Sequence, residues 1–114
     1  MRMRNFKRFG HNHFGLFYKR IIEIDEGGIR YKNKDYAWND IKKIFRYESI
    51  ASSLFFSMYG CPLSIVKLKD GKKIYLQGRI MQEEGQNREF NLLFATKAYR
   101  RLVSYIENKM KENV

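Results

Sequence analysis

The chain has 114 residues, the size of one domain, and its 23 Lys and Arg against 12 Asp and Glu give a net charge of +11. This surplus favours an anionic partner: nucleic acid, a lipid surface or an acidic protein. A single cysteine, Cys61, excludes an internal disulfide framework and a cysteine zinc cluster, and no apolar stretch is long enough to cross a membrane as a helix. The N-terminus lacks an apolar signal core, which predicts a cytoplasmic chain.

The N-terminal segment is basic and aromatic. We expect an arm over residues 1–15, followed by a single domain over residues 16–114. The arm is either a frayed tail or a segment that binds a polyanion through charge and ring stacking. His11 and His13 could share a strand face, but no second metal-binding motif accompanies them, so we predict no metal site and histidines that titrate near neutral pH.

Alternating apolar and polar residues then predict an antiparallel meander. Its turns are marked by Asp25-Glu26-Gly27-Gly28 and by Asp70-Gly71, the clearest hairpin signal in the chain. The segment from 78 to 87 is polar and is predicted to be a loop. The predicted strands are residues 16–24, 29–32, 36–38, 41–47 with a kink near Lys42-Lys43, 64–69, 73–78 and 89–95.

Residues 49–66 form a run without any charge. Two interpretations remain open, a strand folded over the core or an exposed hydrophobic patch that contacts a partner or bilayer. The candidate contact residues are Leu54, Phe55, Phe56 and Tyr59.

The C-terminal segment predicts an amphipathic helix. Thr96 is a favourable N-cap, and residues 97–111 contain neither Gly nor Pro. One helical stripe is apolar and consists of Tyr99, Leu102, Val103, Ile106 and Met110.

Seven short strands followed by one helix is the element order of the pleckstrin-homology-like barrel. Residues 38–44, Trp-Asn-Asp-Ile-Lys-Lys-Ile, resemble the W-x-D-I-x-x-I segment of bacterial pleckstrin-like and GRAM-type domains, and the hairpins at Gly27-Gly28 and Asp70-Gly71 are similar to that family's. The resemblance covers about residues 16–111. It implies a mainly β fold, a seven-stranded antiparallel barrel capped by the C-terminal helix.

In that family lipid binders carry a basic motif on the first hairpin, which Lys19, Arg30 and Lys32 resemble. The acidic turn Asp25-Glu26 departs from the motif, since carboxylates there would repel an inositol phosphate.

The resulting hypothesis is a non-enzymatic binding or adaptor module that engages a protein partner or an anionic membrane surface, peripheral at the inner face of the membrane. The alternatives are a nucleic-acid-binding β-domain that uses the N-terminal arm, and a structural component; an unpaired barrel edge would permit a homo-oligomer. No catalytic residue, metal or cofactor is predicted. The candidate anion-binding residues are Arg2, Arg4, Lys7, Arg8, Lys19, Arg20, Arg30 and Lys32.

Overall fold

The computed structural model describes residues 6–13, 15–46, 64–86 and 95–113. Over these residues the chain forms eight strands in two antiparallel sheets, one short 3-10 turn and one C-terminal helix. The mainly β class with a terminal helix is therefore confirmed. Within the same ranges the two sheets are separate, so the described residues do not show the closed barrel that the resemblance implies.

The first sheet has five strands in the order β4-β3-β2-β1-β8. Neighbouring strands pair antiparallel throughout, and a register shift between Phe9 and Gly10 marks a bulge in the β1–β2 pair. The strands are β1 (Lys7–Asn12), β2 (Tyr18–Asp25), β3 (Gly28–Tyr31), β4 (Lys34–Ala37) and β8 (Met81–Glu83).

The second sheet has three strands in the order β5-β6-β7. Its strands are β5 (Ile41–Arg46), β6 (Ser64–Leu68) and β7 (Lys73–Leu76), and the 3-10 turn Trp38–Asp40 joins β4 to β5. The kink predicted near Lys42-Lys43 is confirmed, because the β5–β6 register shifts between Ile41 and Lys43. Trp38, predicted as the end of a strand, lies in the 3-10 turn, where the Asp40 carboxylate accepts a hydrogen bond from the Ala37 N–H at 3.0 Å.

Three turns follow from local chemistry. Asp25 accepts hydrogen bonds from the N–H groups of Gly27 and Gly28, and a Cβ at Gly28 would lie 1.9 Å from the Tyr36 carbonyl oxygen. Lys32 and Asn33 both have positive φ, as the two central residues of a type I′ turn require. The predicted Asp70-Gly71 hairpin joins β6 to β7.

Two strands occur where the sequence predicts none. β1 lies inside the predicted arm, and it forms because Phe9 and His11 are buried while it pairs with β2 on one side and β8 on the other. In the sequence, the cations next to Phe9 obscure the pattern of buried and exposed side chains along β1. β8 lies inside the predicted loop 78–87, where Met81 is fully buried. The predicted strand 89–95 lies outside the described residues except for Ala95.

The helix α1 (Lys97–Glu112) confirms the amphipathic prediction. The Thr96 hydroxyl accepts a hydrogen bond from the Tyr99 N–H at 3.2 Å and donates one to the Met81 carbonyl at 2.9 Å, so it caps the helix and ties it to β8. The predicted stripe packs on the core, with Met110 partly buried. The buried helix residues are Ala98, Tyr99, Leu102, Val103 and Ile106.

The core draws on both sheets and the helix. Ile22, Ile24 and Ile29 of the first sheet and Val66 and Leu68 of the second are at most 1% exposed and belong to one buried cluster. Burial of such side chains contributes about 1.5–3 kcal/mol each to the free energy of unfolding. The helix therefore joins two sheets that share one core.

Candidate anion-binding groove

A groove of about 560 Å³ is lined by residues from β1, β2 and β3, from the β3–β4 turn, and from β7 and the residues just after it. Its volume lies in the range of small-molecule sites. Its charged lining consists of four cations, Lys19, Arg20, Arg30 and Lys32, and one carboxylate, Glu23. The groove thus collects four of the eight predicted anion-binding residues, which come from separate strands and a turn.

Glu23 is 8% exposed and lies in a row of charges that crosses four strands of the first sheet. The register sets Arg8 opposite Glu23, Glu23 opposite Arg30, and Arg30 opposite Asp35. Arg8 Nε donates to Glu23 Oε1 at 3.0 Å, and Arg30 Nε donates to Asp35 Oδ1 at 2.8 Å. The Arg30 guanidinium also lies 3.7 Å from Glu23 Oε2. The row alternates in sign, so Arg8 and Arg30 already hold carboxylates.

Arg20 is also held by carboxylates. Its guanidinium donates two hydrogen bonds to Glu84, the second at 2.7 Å, and a third to Glu23 at 3.2 Å. The Arg20 hydrogen bond lowers the pKa of the Glu84 carboxyl below its usual value. Tyr18 donates its hydroxyl to the same carboxylate at 3.0 Å, and burial raises the pKa of that phenol. Arg20 therefore has a structural role, because it links Glu23 and Glu84 at the side of the groove.

The two lysines of the groove differ from these arginines. Lys19 and Lys32 are exposed, and neither forms an ion pair with a residue in the described part of the chain. The Lys32 ammonium lies 5.4 Å from the centroid of the Tyr31 ring. Lys19 and Lys32 are the groove cations best placed to meet an external anion.

The turn between β1 and β2 stands beside the groove and exposes apolar side chains. Leu16 is 84% exposed and Phe17 60% exposed. The turn is ordered by hydrogen bonds from the Gly15 N–H to Asn12 Oδ1 at 2.7 Å and from the His13 N–H to the Phe17 carbonyl at 2.8 Å. The Phe17 ring stacks on His13, a groove residue, with 4.3 Å between centroids. We name Leu16 and Phe17 the apolar tip.

His11 contradicts the expectation of a mobile histidine that titrates near neutral pH. Its side chain is 6% exposed, and its Nε2 accepts a hydrogen bond from the Gln77 N–H at 3.0 Å. Burial, with the nearby charges of His13 and Lys19, lowers the pKa of His11 to about 4. In the described ranges no cluster of three or more His, Cys, Asp or Glu side chains could hold a metal ion.

The other predicted candidates lie elsewhere. Lys7 is exposed on β1, and Arg8 belongs to the charged row. Several candidates lie outside the described residues, namely Arg2, Arg4, Leu54, Phe55, Phe56 and Tyr59. Of the uncharged run, only residues 64–66 are described, and they form part of β6 with Ser64 and Val66 buried.

Sequence reasoning missed the apolar tip and the contribution of Tyr75. Leu16 and Phe17 were assigned to a strand, although Asn12 and Gly15, two residues typical of turns, come just before them. Tyr75 is far from β2 in the sequence, and only the packing of β7 brings it to the groove.

A scan against protein-family models, a search of curated proteins and a search of solved structures all return no match for this chain. Among the described residues, no helix has both the length and the apolar character needed to span a bilayer.

Proposed function

We propose that this chain is a non-enzymatic binding module of pleckstrin-homology-like architecture that attaches to an anionic membrane surface, at the inner face of the cytoplasmic membrane. The observation that carries the proposal is that Phe17 of the apolar tip stacks on His13, which lines the same groove as Lys19 and Lys32. Apolar side chains that enter the interface and cations that meet anionic headgroups are the two contributions on which peripheral membrane binding depends.

The architecture is supported by the mainly β fold with one terminal helix and by the segment from Trp38 to Ile44. In this proposal the two sheets are the halves of an incompletely closed roll. The terminal helix covers the end where the β2–β3 turn lies, since Lys109 pairs with Glu26 at 3.0 Å and Tyr105 contacts the Trp38 ring. The groove then occupies the opposite end.

The acidic turn that departs from the family's lipid-binding motif does not face this groove. Asp25 ends β2, whereas Lys19 lies near its start, roughly 20 Å away at about 3.3 Å per residue. Glu26 is turned toward Lys109 of the helix, and neither carboxylate lines the groove. Repulsion of an anionic headgroup by this turn is therefore weak at the proposed site.

Vesicle co-sedimentation tests the proposal. The chain should sediment with phosphatidylcholine vesicles that contain phosphatidylserine. With vesicles made of phosphatidylcholine only, it should remain in the supernatant. Changing Lys19→Glu together with Lys32→Glu should weaken binding to the anionic vesicles at least about tenfold, because each cation near such a surface contributes about 1 kcal/mol.

The matched control is Arg100→Glu with Lys111→Glu, which makes the same change in net charge at two exposed helix positions. This control should lose far less affinity. Equal losses of affinity in the two double variants would show that vesicle binding depends only on the net charge of the chain. That result would contradict a binding role for the groove. Binding to an acidic protein with no binding to either vesicle would favour a protein partner instead.

A further inference from the structure

The outer face of the three-stranded sheet carries three lysines in one row. The register sets Lys43 opposite Lys67 and Lys67 opposite Lys73. Residues directly opposite each other in antiparallel strands project from the same face. The neighbouring row on the opposite face, which includes Val66 and Ile74, is buried in the core, so the lysines point outward.

A second row on the same outer face is apolar and aromatic. It consists of Phe45, Ile65 and Tyr75, which the register sets side by side. Tyr75 is 50% exposed, and the Lys43 ammonium lies 4.6 Å from the centroid of the Phe45 ring. The rows are two residues apart along each strand, or about 7 Å. We name these two rows the lysine–aromatic face.

The lysine row contrasts with the charged row of the first sheet. There, Arg8, Glu23, Arg30 and Asp35 alternate in sign and neutralise one another. Like charges opposite each other on neighbouring strands destabilise a sheet. None of the three lysines forms an ion pair with a described residue, and the carboxylate in the adjoining turn, Asp70, is held by Tyr36 and Lys34 at 2.9 and 3.3 Å. The row is thus left for an anion from outside.

We propose that the lysine–aromatic face binds single-stranded nucleic acid. A strand that crosses the sheet can place its phosphates on the lysine row while a base stacks on the exposed ring of Tyr75, the combination typical of sequence-tolerant single-strand binding. A bilayer fits this face less well than it fits the apolar tip. Phe45 and Ile65 are partly buried in the pleated surface, whereas Leu16 stands clear of the fold.

This inference does not rest on the membrane proposal, because the three lysines lie on the other sheet and do not line the groove; Tyr75 borders both surfaces, so the lysine variant is the one that separates them. The test is fluorescence anisotropy of the full chain with a labelled oligouridine of about ten nucleotides, a length within the site sizes known for single-strand-binding domains. Lys43→Glu with Lys73→Glu should weaken binding by at least about tenfold and reduce the slope of log affinity against log salt by about 1.4, or 0.7 for each lost phosphate contact. Tyr75→Ala should weaken binding by about tenfold through lost stacking.

A double variant with the same change in net charge serves as the control. Arg100→Glu with Lys111→Glu should keep the affinity within about threefold of the unchanged chain, since it removes no phosphate contact of this face. If Lys43→Glu with Lys73→Glu does not fold by circular dichroism, Lys43→Gln with Lys73→Gln replaces it, with a loss of about fivefold expected from the same missing contacts.

Three results would overturn the proposal. The first is no binding of the oligonucleotide, and the second is an equal loss of affinity in all charge variants. The third is that Lys43→Glu with Lys73→Glu binds phosphatidylserine vesicles more weakly but the oligonucleotide as well as before, which would assign the lysine row to the membrane. If Lys19→Glu with Lys32→Glu left vesicle binding unchanged, the membrane proposal would fail while the oligonucleotide result still stood. The two proposals can therefore fail separately.

Discussion

His11 lies in β1 with its Nε2 accepting a hydrogen bond from the Gln77 N–H, a contact that only the neutral imidazole can make. Because the side chain is 6% exposed, protonation would place a charge in the interior with its acceptor lost. This residue therefore links the stability of the sheet to pH.

Stability should fall as the pH is lowered from about 6.5 to about 4, because the folded pKa of His11 is depressed to about 4 and the unfolded chain takes up the proton first. The contribution at stake is up to about 3 kcal/mol in the free energy of unfolding. In His11→Gln this pH dependence should flatten, as measured by urea unfolding across that pH window. Parallel pH profiles for the two proteins would show that His11 is protonated without cost in the folded chain.

At the same scale, the sequence identified cations but not their partners. The family resemblance groups Lys19, Arg30 and Lys32 in one basic motif, and all three line the groove. That Arg30 is engaged by Asp35 and Glu23, while Lys19 and Lys32 pair with no described residue, depends on strand register. Register joins residues far apart in the chain, which a single sequence does not specify.

At the scale of elements, Thr96 ties the helix to the first sheet. Its hydroxyl caps α1 and also donates to the Met81 carbonyl, and it is 2% exposed, so no water can replace it. The apolar stripe of the helix and its N-cap could both be predicted from the sequence, because each depends on residues that lie close together in the chain. The bond to β8 was not, since β8 was predicted to be a loop.

Thr96→Val should therefore lower the free energy of unfolding by about 1–3 kcal/mol, since it removes the cap and leaves the Met81 carbonyl without a donor. The measurement is urea unfolding followed by circular dichroism. Thr96→Ser, which keeps the hydroxyl, should retain most of the stability. If valine and serine variants proved equally stable, the hydroxyl would have no such role.

The unpredicted strands share one physical cause. β1 and β8 are short and carry mostly polar or basic residues, and they pair with each other across a long stretch of the chain, while β1 also pairs with β2. The hairpins at Gly27-Gly28 and Asp70-Gly71 were predicted because turn chemistry acts over two to four residues. Local sequence patterns therefore predict most of the strands, whereas the pairing partners of β1 are known only from the structure.

At the scale of the whole molecule, the cations of the described residues fall on two kinds of surface. On the first sheet most of them are paired, while Lys19 and Lys32, which form no ion pair with a described residue, line the groove next to the apolar tip. On the second sheet Lys43, Lys67 and Lys73, which also form no ion pair within the described ranges, stand in one row beside aromatic rings. The net charge predicted an anionic partner, but this distribution depends on how the two sheets are arranged around their shared core.

The apolar tip is the part of the membrane account most open to direct measurement. Trp38 is the only tryptophan of the chain, is 4% exposed and donates its indole N–H to the Glu26 carbonyl at the helix end, away from the groove. In a Trp38→Phe background, Leu16→Trp therefore gives a single reporter at the tip, and the unchanged chain gives a matched reporter in the core.

The measurement is tryptophan fluorescence with phosphatidylserine vesicles that contain brominated phosphatidylcholine. If the tip enters the bilayer, the Leu16→Trp emission shifts to shorter wavelength and is quenched by bromine, whereas Trp38 of the unchanged chain is not quenched. An unshifted, unquenched Leu16→Trp emission from protein bound to the vesicles would show that the tip stays in water and would contradict the account.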